Sequence, residues 1–124
     1  MGCRKMGQGL TCIVGRGTFD LTMAKLIALY KTPVDPAAFD AYYHAAHLPL
    51  AKTIPGLRGY DISHGPVGGM GGPTGIHLVA TLHFDDLAAI GAAMASPQGQ
   101  ATAADLAKFA TGGVDVMFFD TVDV

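Results

Sequence analysis

The stretch YYHAAHLPLAKTIPG, residues 42–56, carries residue types that suit proton-transfer chemistry. His44 and His47 lie three residues apart in a helix-like run, and Tyr43 precedes the first of them. Histidine changes its charge near neutral pH, so it can take up or release a proton during a reaction. A neighbouring tyrosine hydroxyl can donate a hydrogen bond to a carbonyl or phenolate oxygen. Together these side chains suggest proton transfer on a cyclic or aromatic compound in an apolar cavity.

A structural interpretation of the same residues stays open. His47 comes shortly before Pro49, which is a helix breaker, so its ring can instead bond a free backbone carbonyl at a helix end. His44 taken alone is expected to face solvent, and Tyr43 is expected to belong first to the core. The motif therefore predicts either a pocket or a packed helix end.

Four more residues are candidates for binding a ligand. Tyr60 and Arg58 lie on a predicted strand and are expected to line the same cavity. His77 and His83 share a predicted strand face with Thr81, and that face is expected to point into a barrel. The alternative for these two histidines is a role at a subunit interface.

Several familiar site types are missing from the sequence. The histidines have no H-x-H or H-E-x-x-H spacing, and Asp40 is the only carboxylate near them on the first helix, so neither a metal nor a cofactor is predicted. The glycine-rich stretch 65–75 lacks the Lys-Ser/Thr of a P-loop. It is expected to be a mobile connection between two strands that can act as a lid.

Composition limits the classes of function. The chain has 124 residues, of which 50% are hydrophobic and 15% charged, with a net charge of −2. No nucleic-acid partner is expected from this charge, and no membrane span, because no apolar run reaches about 18 residues. Residues 1–22 hold both cysteines, Cys3 and Cys12. We expect them to form an appended, poorly ordered arm with free thiols, preceding one domain over 23–124 in a cytoplasmic protein.

The rest of the chain must position the candidate residues, and turn signals divide it into six elements. Asp35 before Pro36 and Ser96 before Pro97 are typical of helix starts, because the side-chain oxygen can accept from free backbone N–H groups. The predicted order is strand 24–31, a helix after Asp35, strands 57–65 and 76–84, a helix after Asp86 followed by another after Ser96, and strand 114–124.

The first helix is predicted to have an apolar face and a polar edge. On a regular helix Asp40, His44 and His47 fall on one face, where a cleft between helix and sheet can open. Pro49 is expected to end or kink this helix near Leu48. The apolar stripe with spacings of four, three and four consists of Phe39, Tyr43, Ala46 and Leu50.

The element order is that of an α+β, ferredoxin-like βαββαβ domain, an antiparallel sheet with helices on one face. Its strands are nevertheless apolar on both sides: strand 114–122 has Val116 and Phe118 on one side and Met117 and Phe119 on the other. Because an uncovered sheet face meets water, a second sheet is needed to cover it. We therefore predict a homodimer that forms a dimeric α+β barrel.

The sequence also resembles a known family in several separate blocks. The similar blocks are KLIALYK, the D-P-x-x-F helix start, Y-x-x-x-H-x-P-L, P-G-L and the stretch from FDDLAAIGAAM to KFATGG. In these blocks the sequence is similar to the EthD family, which is named for ethyl tert-butyl ether degradation. The resemblance covers residues 24–122 and implies a dimeric α+β barrel. His47 matches the histidine of the family's H-x-P-L run, and Tyr43 matches the aromatic residue before it. Relatives on this fold include lactone isomerases, polyketide cyclases and haem-degrading monooxygenases.

Two hypotheses about function remain. The first is a small cofactor-independent enzyme of catabolism, in which His47 transfers a proton on a hydrophobic cyclic or aromatic metabolite and Tyr43 or Tyr60 orients an oxygen. The second is a non-catalytic accessory protein that binds a small hydrophobic molecule or supports an oxygenase system. A haem-handling protein is a third and weaker alternative.

Overall fold

A four-stranded antiparallel sheet supports the helices of this chain on one face in the computed structural model. The structure describes residues 22–124 and, as backbone alone, the strands β1 (Cys3–Met6) and β2 (Gly9–Cys12), which pair with each other. The prediction of a poorly ordered arm with free thiols concerns segments and side chains that lie outside the described residues.

The main sheet has the strand order of a ferredoxin-like domain. Its strands are β3 (Thr22–Lys31), β4 (Gly59–Ile62), β5 (Ile76–Phe84) and β6 (Val114–Val122), arranged in the order β4-β5-β3-β6 with every neighbour antiparallel. Helices follow β3 and β5, which gives the predicted βαββαβ arrangement. The predicted bounds of β5 are confirmed, whereas the predicted strand 57–65 is shorter, since only Gly59–Ile62 is assigned as strand.

The predicted helix starts are confirmed by their caps. Helix α1 (Pro36–Tyr42) begins where the Asp35 carboxylate accepts from the backbone N–H of Ala38 at 3.1 Å. After helix α3 (Leu87–Ala95), helix α4 (Pro97–Phe109) begins where the Ser96 hydroxyl accepts from the N–H of Gly99 at 3.0 Å. These bonds satisfy N–H groups that have no partner inside the helix.

The helical segment that begins with α1 does not end at Pro49, so of the two predicted outcomes, an end or a kink, the first is wrong. It continues through a π turn (Tyr43–His47) into the short helix α2 (Leu48–Ala51). Proline has no N–H and clashes with the carbonyl four residues earlier in a regular α-helix. Directly before Pro49 the chain widens instead: the N–H of Leu48 bonds to the carbonyl of Tyr43, five residues back.

The π turn shifts the buried face of this segment by one residue. Phe39 and Tyr43 are buried as predicted, but His47 and Ala51 are buried after the turn. The predicted stripe had Ala46 and Leu50 at these positions, and both are only half-buried. A regular 3.6-residue period does not include the extra residue of a π turn, and this is the physical reason for the error.

The core lies between the sheet and the helices, and the edge strand β6 lies at its margin. Leu26 is buried on the helix-covered face, whereas its β6 partner Phe118 is 58% exposed. On the opposite face of β6, Met117 and Phe119 are 44% and 40% exposed. The apolar character predicted for both sides of this strand is thus present at the surface. In the part of the chain that the structure describes, no helix has the length and apolarity needed to cross a membrane.

Candidate functional site

A buried histidine–aspartate pair lies between the helices. His47 is only 3% exposed, and its Nδ1 is 2.9 Å from Oδ2 of Asp105 on α4, which is 7% exposed. The hydroxyl of Tyr42 donates to the other carboxylate oxygen, Oδ1, at 2.7 Å. Both oxygens of Asp105 therefore have a hydrogen-bond partner, which is what a buried carboxylate requires.

The surroundings favour a neutral His47 beside an ionised Asp105. Burial lowers the pKa of His47, and the hydrogen bond and charge of Asp105 oppose this effect without reversing it. Burial also acts to raise the pKa of Asp105, but the hydrogen bonds from Tyr42 and His47, with the nearby charges, outweigh it and lower the pKa. Because an ionised carboxylate only accepts hydrogen bonds, the neutral imidazole keeps its proton on Nδ1. Its Nε2 is then an unprotonated base.

His47 forms part of the wall of a small apolar cavity between the sheet and the helices. The cavity has a volume of about 100 Å³. Leu26 and Leu82 line it from the sheet, and Met94 and Leu106 from the helices. A neutral base in such surroundings is suited to accept a proton from a hydrophobic ligand.

Three tyrosines lie around the base. The hydroxyl of Tyr30 is 3.5 Å from Nε2 of His47, and both Tyr30 and Tyr60 line the cavity. Tyr43 is completely buried and reaches the cavity only through Tyr60, since the two hydroxyl oxygens are 2.6 Å apart. Burial raises the pKa of all three phenols, so each keeps its proton at neutral pH and can donate it in a hydrogen bond.

The structure therefore brings together only part of the predicted site. Tyr60, which was expected beside the first helix, lines the cavity that His47 borders. Arg58, for which the same place was expected, does not belong to the cavity lining. Its guanidinium instead makes a bidentate contact with the exposed carboxylate of Asp85, with N–O distances of 3.1 and 2.9 Å. His83 does lie on the sheet face away from the helices, where its Nε2 is 2.8 Å from Asp61 on β4.

His77 does not share the face of His83, which corrects the prediction. The pairing of β3 with β5 shifts after Tyr30, so that Lys31 is paired with Ile76 and His77 has no partner on β3. Such a bulge turns a side chain away from strict alternation. The ring of His77 packs edge-on against Phe39, and its Nε2 is 2.8 Å from Asp40.

His44 is separated from His47 by the π turn and lies in different surroundings. His44 is exposed and lines a wide open groove of about 1120 Å³, together with Asp40, His77 and the glycine-rich stretch 65–75. The predicted single face with Asp40, His44 and His47 is therefore wrong. Among the described residues, no three histidine, cysteine or acidic side chains are arranged to hold a metal ion.

Sequence reasoning missed Asp105, Tyr42 and Tyr30. One signal for Asp105 was available: it is the only acidic residue of α4 and lies four residues before Phe109, on the apolar side of the helix. An isolated carboxylate in such a stripe requires a buried partner. Nothing in the sequence pattern indicated which of the five histidines it would meet.

Comparison with known proteins places this chain in a family. The model of the EthD domain matches residues 31–113. An uncharacterised 11.0 kDa protein from the thcB-thcC intergenic region of Rhodococcus erythropolis is 40% identical over 99 residues, which cover 79% of this chain and 94% of that protein. A crystal structure of an EthD-family protein from Bacillus halodurans is 37% identical, with a TM-score of 0.72, and covers 78% of this chain and 96% of its own.

More distant structures share the fold. A dimeric ferredoxin-like protein of unknown function from Thermobifida fusca has a TM-score of 0.60 at 18% identity, with 81% of this chain and 92% of that chain covered. A cofactor-independent oxygenase from Streptomyces nogalater has a TM-score of 0.54 at 16% identity, with 80% and 91% covered. From the family model and the two relatives above 30% identity, we conclude that this chain belongs to the EthD domain family.

Proposed function

We propose that this protein is a small enzyme that uses His47 as a base to move a proton on a hydrophobic cyclic or aromatic metabolite. The hydrogen bond of 2.9 Å between the buried His47 and Asp105, at the wall of an apolar cavity, carries this proposal. The pair provides a proton acceptor from the chain's own residues. A fold neighbour described as a cofactor-independent oxygenase is compatible with chemistry of this kind.

The proposed step is balanced by the groups of the site. Nε2 of His47 takes a proton from a ligand C–H bond next to a carbonyl, and the electron pair of that bond moves towards the carbonyl oxygen to give an enolate. The imidazolium that forms is stabilised by the ionised Asp105 behind it. The same nitrogen then returns the proton to carbon, at the original or a conjugated position.

The cavity limits the size of the ligand. Its volume is about 100 Å³, and an engineered apolar cavity of about 150 Å³ is known to bind benzene. The cavity is therefore somewhat small for one ring, and a ring beside His47 requires the flexible Met94, which also lines the cavity, to move aside.

We also propose that the active protein is a homodimer. The exposed apolar residues Met117 and Phe119 on the helix-free face of β6 support this proposal, because a second sheet packed there would remove them from water. The dimeric state of the ferredoxin-like neighbour from Thermobifida fusca is compatible with it.

Deuterium exchange tests the enzymatic proposal without knowledge of the natural substrate. Single-ring carbonyl compounds, both charged and uncharged, are incubated with the protein in D₂O, and deuterium at the carbon next to the carbonyl is measured by mass spectrometry. We expect the wild-type protein to accelerate exchange in at least one compound and His47→Gln to lose about a hundredfold or more of that rate. The matched control His64→Gln changes an exposed histidine and should keep the wild-type rate.

The same experiment separates the enzyme from an accessory binding protein. NMR shifts of the cavity residues identify which compounds of the panel bind. If compounds bind in the cavity and none of them exchanges faster than in buffer, the proton-transfer proposal is wrong and a binding role is supported. Equal rates for wild type and His47→Gln would also contradict it.

A further inference from the structure

The direction of the hydrogen bond between Tyr43 and Tyr60 determines what the cavity presents to a ligand. Their hydroxyl oxygens are 2.6 Å apart. Tyr43 is completely buried, and among the described residues its hydroxyl has Tyr60 as its hydrogen-bond partner. Tyr60 is half-buried and lines the cavity. The two hydroxyls therefore have very different access to other acceptors.

Each direction of this bond leaves one hydroxyl proton without a protein partner, and the two directions differ in where that proton lies. If Tyr60 donated to Tyr43, the proton of Tyr43 would point into the core without an acceptor, and the desolvation of that donor would not be compensated. If Tyr43 donates to Tyr60, the buried proton is satisfied and the proton of Tyr60 is free to point into the cavity. The second arrangement is favoured, so Tyr60 presents a donor to whatever occupies the cavity.

The charges around the cavity exclude anionic ligands. Its described lining contains no lysine or arginine, and its one titratable nitrogen ring, His47, is kept neutral by burial. The nearest ionised group is Asp105, directly behind His47 and of negative sign. A carboxylate or phosphate in this cavity would lose its water and find no cation in the described lining. The exposed ammonium of Lys108, 4.0 Å from Oδ1 of Asp105, offsets part of the charge of Asp105 but does not belong to the lining.

The other hydroxyl groups of the lining have acceptors within the protein. Thr102 on α4 lines the cavity, but its hydroxyl donates to the carbonyl of Gln98 at 2.8 Å. The hydroxyl of Tyr30 lies near Nε2 of His47 and is the natural partner of that nitrogen when the cavity is empty of ligand. Before a ligand binds, Tyr60 is thus the donor of the lining that has no acceptor among the described residues.

We infer that the cavity selects an uncharged compound of about one ring that carries a carbonyl or hydroxyl oxygen, and that the O–H of Tyr60 binds this oxygen. This inference rests on the proposed function in its choice of site and adds the class of ligand and the residue that determines specificity. It places the oxygen at Tyr60 on the sheet and the acidic hydrogen at His47 on the helical segment.

Binding measurements with three ring compounds test the inference. Phenol, toluene and benzoate have similar shapes and differ in the group that they offer to Tyr60, and their affinities are measured near neutral pH by NMR titration. We expect phenol to bind about tenfold more tightly than toluene, as one hydrogen bond predicts. Benzoate should bind at least about a hundredfold more weakly than phenol, because its charge is not compensated.

Two tyrosine variants identify the donor. Tyr60→Phe should abolish the preference for phenol over toluene while toluene binding stays within about twofold, which also shows that the cavity is intact. Tyr43→Phe removes the hydroxyl that orients Tyr60 without removing the donor, so most of the preference should remain. A preference for phenol that survives in Tyr60→Phe would overturn the inference, and so would benzoate binding as tight as that of phenol.

The outcome is distinguishable from that of the proposed function. His47→Gln tests deuterium exchange alone, and the order of affinities for phenol, toluene and benzoate is measured on the wild-type protein. If the affinities follow the expected order and the wild-type protein does not accelerate deuterium exchange, the inferred ligand class is supported and the enzyme proposal is wrong. If exchange occurs preferentially in carboxylate compounds, the enzyme proposal stands and the ligand class is wrong.

Discussion

His47 and Asp105 are 58 residues apart in the chain, and their side chains meet at 2.9 Å in the interior of the protein. One belongs to the π turn after α1 and the other to α4, so the pair exists only in the folded chain. The ionised carboxylate holds the imidazole proton on Nδ1, so Nε2 is left unprotonated. The position of the His47 ring is therefore set by helix packing and not by a flexible loop.

Asp105→Asn tests whether the carboxylate sets the tautomer of His47. An amide has nearly the same shape but can also donate, so the proton of the imidazole is no longer held on Nδ1. We expect the exchange rate to fall about a hundredfold or more, with a change of His47 tautomer in the nitrogen NMR spectrum. Asp115→Asn, which alters an exposed carboxylate paired with Lys31, is the control and should change neither quantity. An unchanged spectrum in Asp105→Asn would show that the tautomer is set by something else.

Tyr42→Phe tests the support that Asp105 receives from its second partner. The variant removes the donor that is 2.7 Å from Oδ1 of the buried carboxylate. We expect the free energy of unfolding near neutral pH to fall, which urea denaturation measures as a lower midpoint concentration. Because the hydrogen bond lowers the pKa of Asp105, its stabilising effect is present when the carboxylate is ionised and is lost as the pH falls through that pKa. A difference from wild type that is as large in strong acid as at neutral pH would contradict this account.

The helix caps and strand positions could be predicted from the sequence because they depend on neighbouring residues. Asp35 and Ser96 each indicate a helix start, because their side chains accept from the backbone N–H three residues further on. The buried role of His47 could not be predicted in this way. It depends on the π turn, which displaces the apolar stripe by one residue and moves His47 into the position expected for Ala46.

The remaining errors at the site have long-range causes. The meeting of His47 with Asp105 depends on how α4 packs against the first helical segment, and local spacing carries no information about that contact. His77 was misplaced because the bulge opposite Lys31 interrupts the alternation of β5. Arg58 was misplaced because Asp85, just beyond the end of β5, offers it an exposed two-fold contact outside the cavity.

The burial of His47 predicts how stability depends on pH. Its pKa is lowered in the folded protein from the ordinary value of 6.5, so between the folded pKa and 6.5 the unfolded chain binds more protons than the native one. Stability therefore falls as the pH is lowered through this range and is fully retained above it. In His47→Gln this contribution is absent, so the melting temperature should depend less on pH just below 6.5. Equal slopes for the two proteins in that range would show that the pKa of His47 is not lowered.

Two glycines in neighbouring helices give a matched test of the packing above the cavity. Gly99 lines the cavity, and a Cβ atom there would collide with the backbone carbonyl of Ala93. Gly91 on α3 is exposed, and a Cβ atom there would meet no other atom within 4 Å. We expect Gly99→Ala to lower the free energy of unfolding by about 1–3 kcal/mol.

Gly91→Ala, by contrast, should raise stability by about 0.5–1 kcal/mol, because alanine is the better helix former. Thermal or urea unfolding of both variants measures the difference. Similar effects of the two substitutions would mean that α3 and α4 do not approach each other closely at Gly99.

The edge strand β6 offers a test of the proposed homodimer and of the face through which it forms. Phe119 is paired with Lys25 on the helix-free face of the sheet, whereas its neighbour Phe118 is paired with Leu26 on the helix-covered face. If two sheets pack through their helix-free faces, Phe119→Lys places a charge inside the interface and should convert the dimer to monomers in sedimentation experiments. Phe118→Lys changes an equally apolar residue that points to the other side, so it should leave the dimer largely intact. The opposite pattern would place the interface along the helix-covered side of β6. A wild-type protein that is monomeric even at high concentration would contradict the proposal of a homodimer.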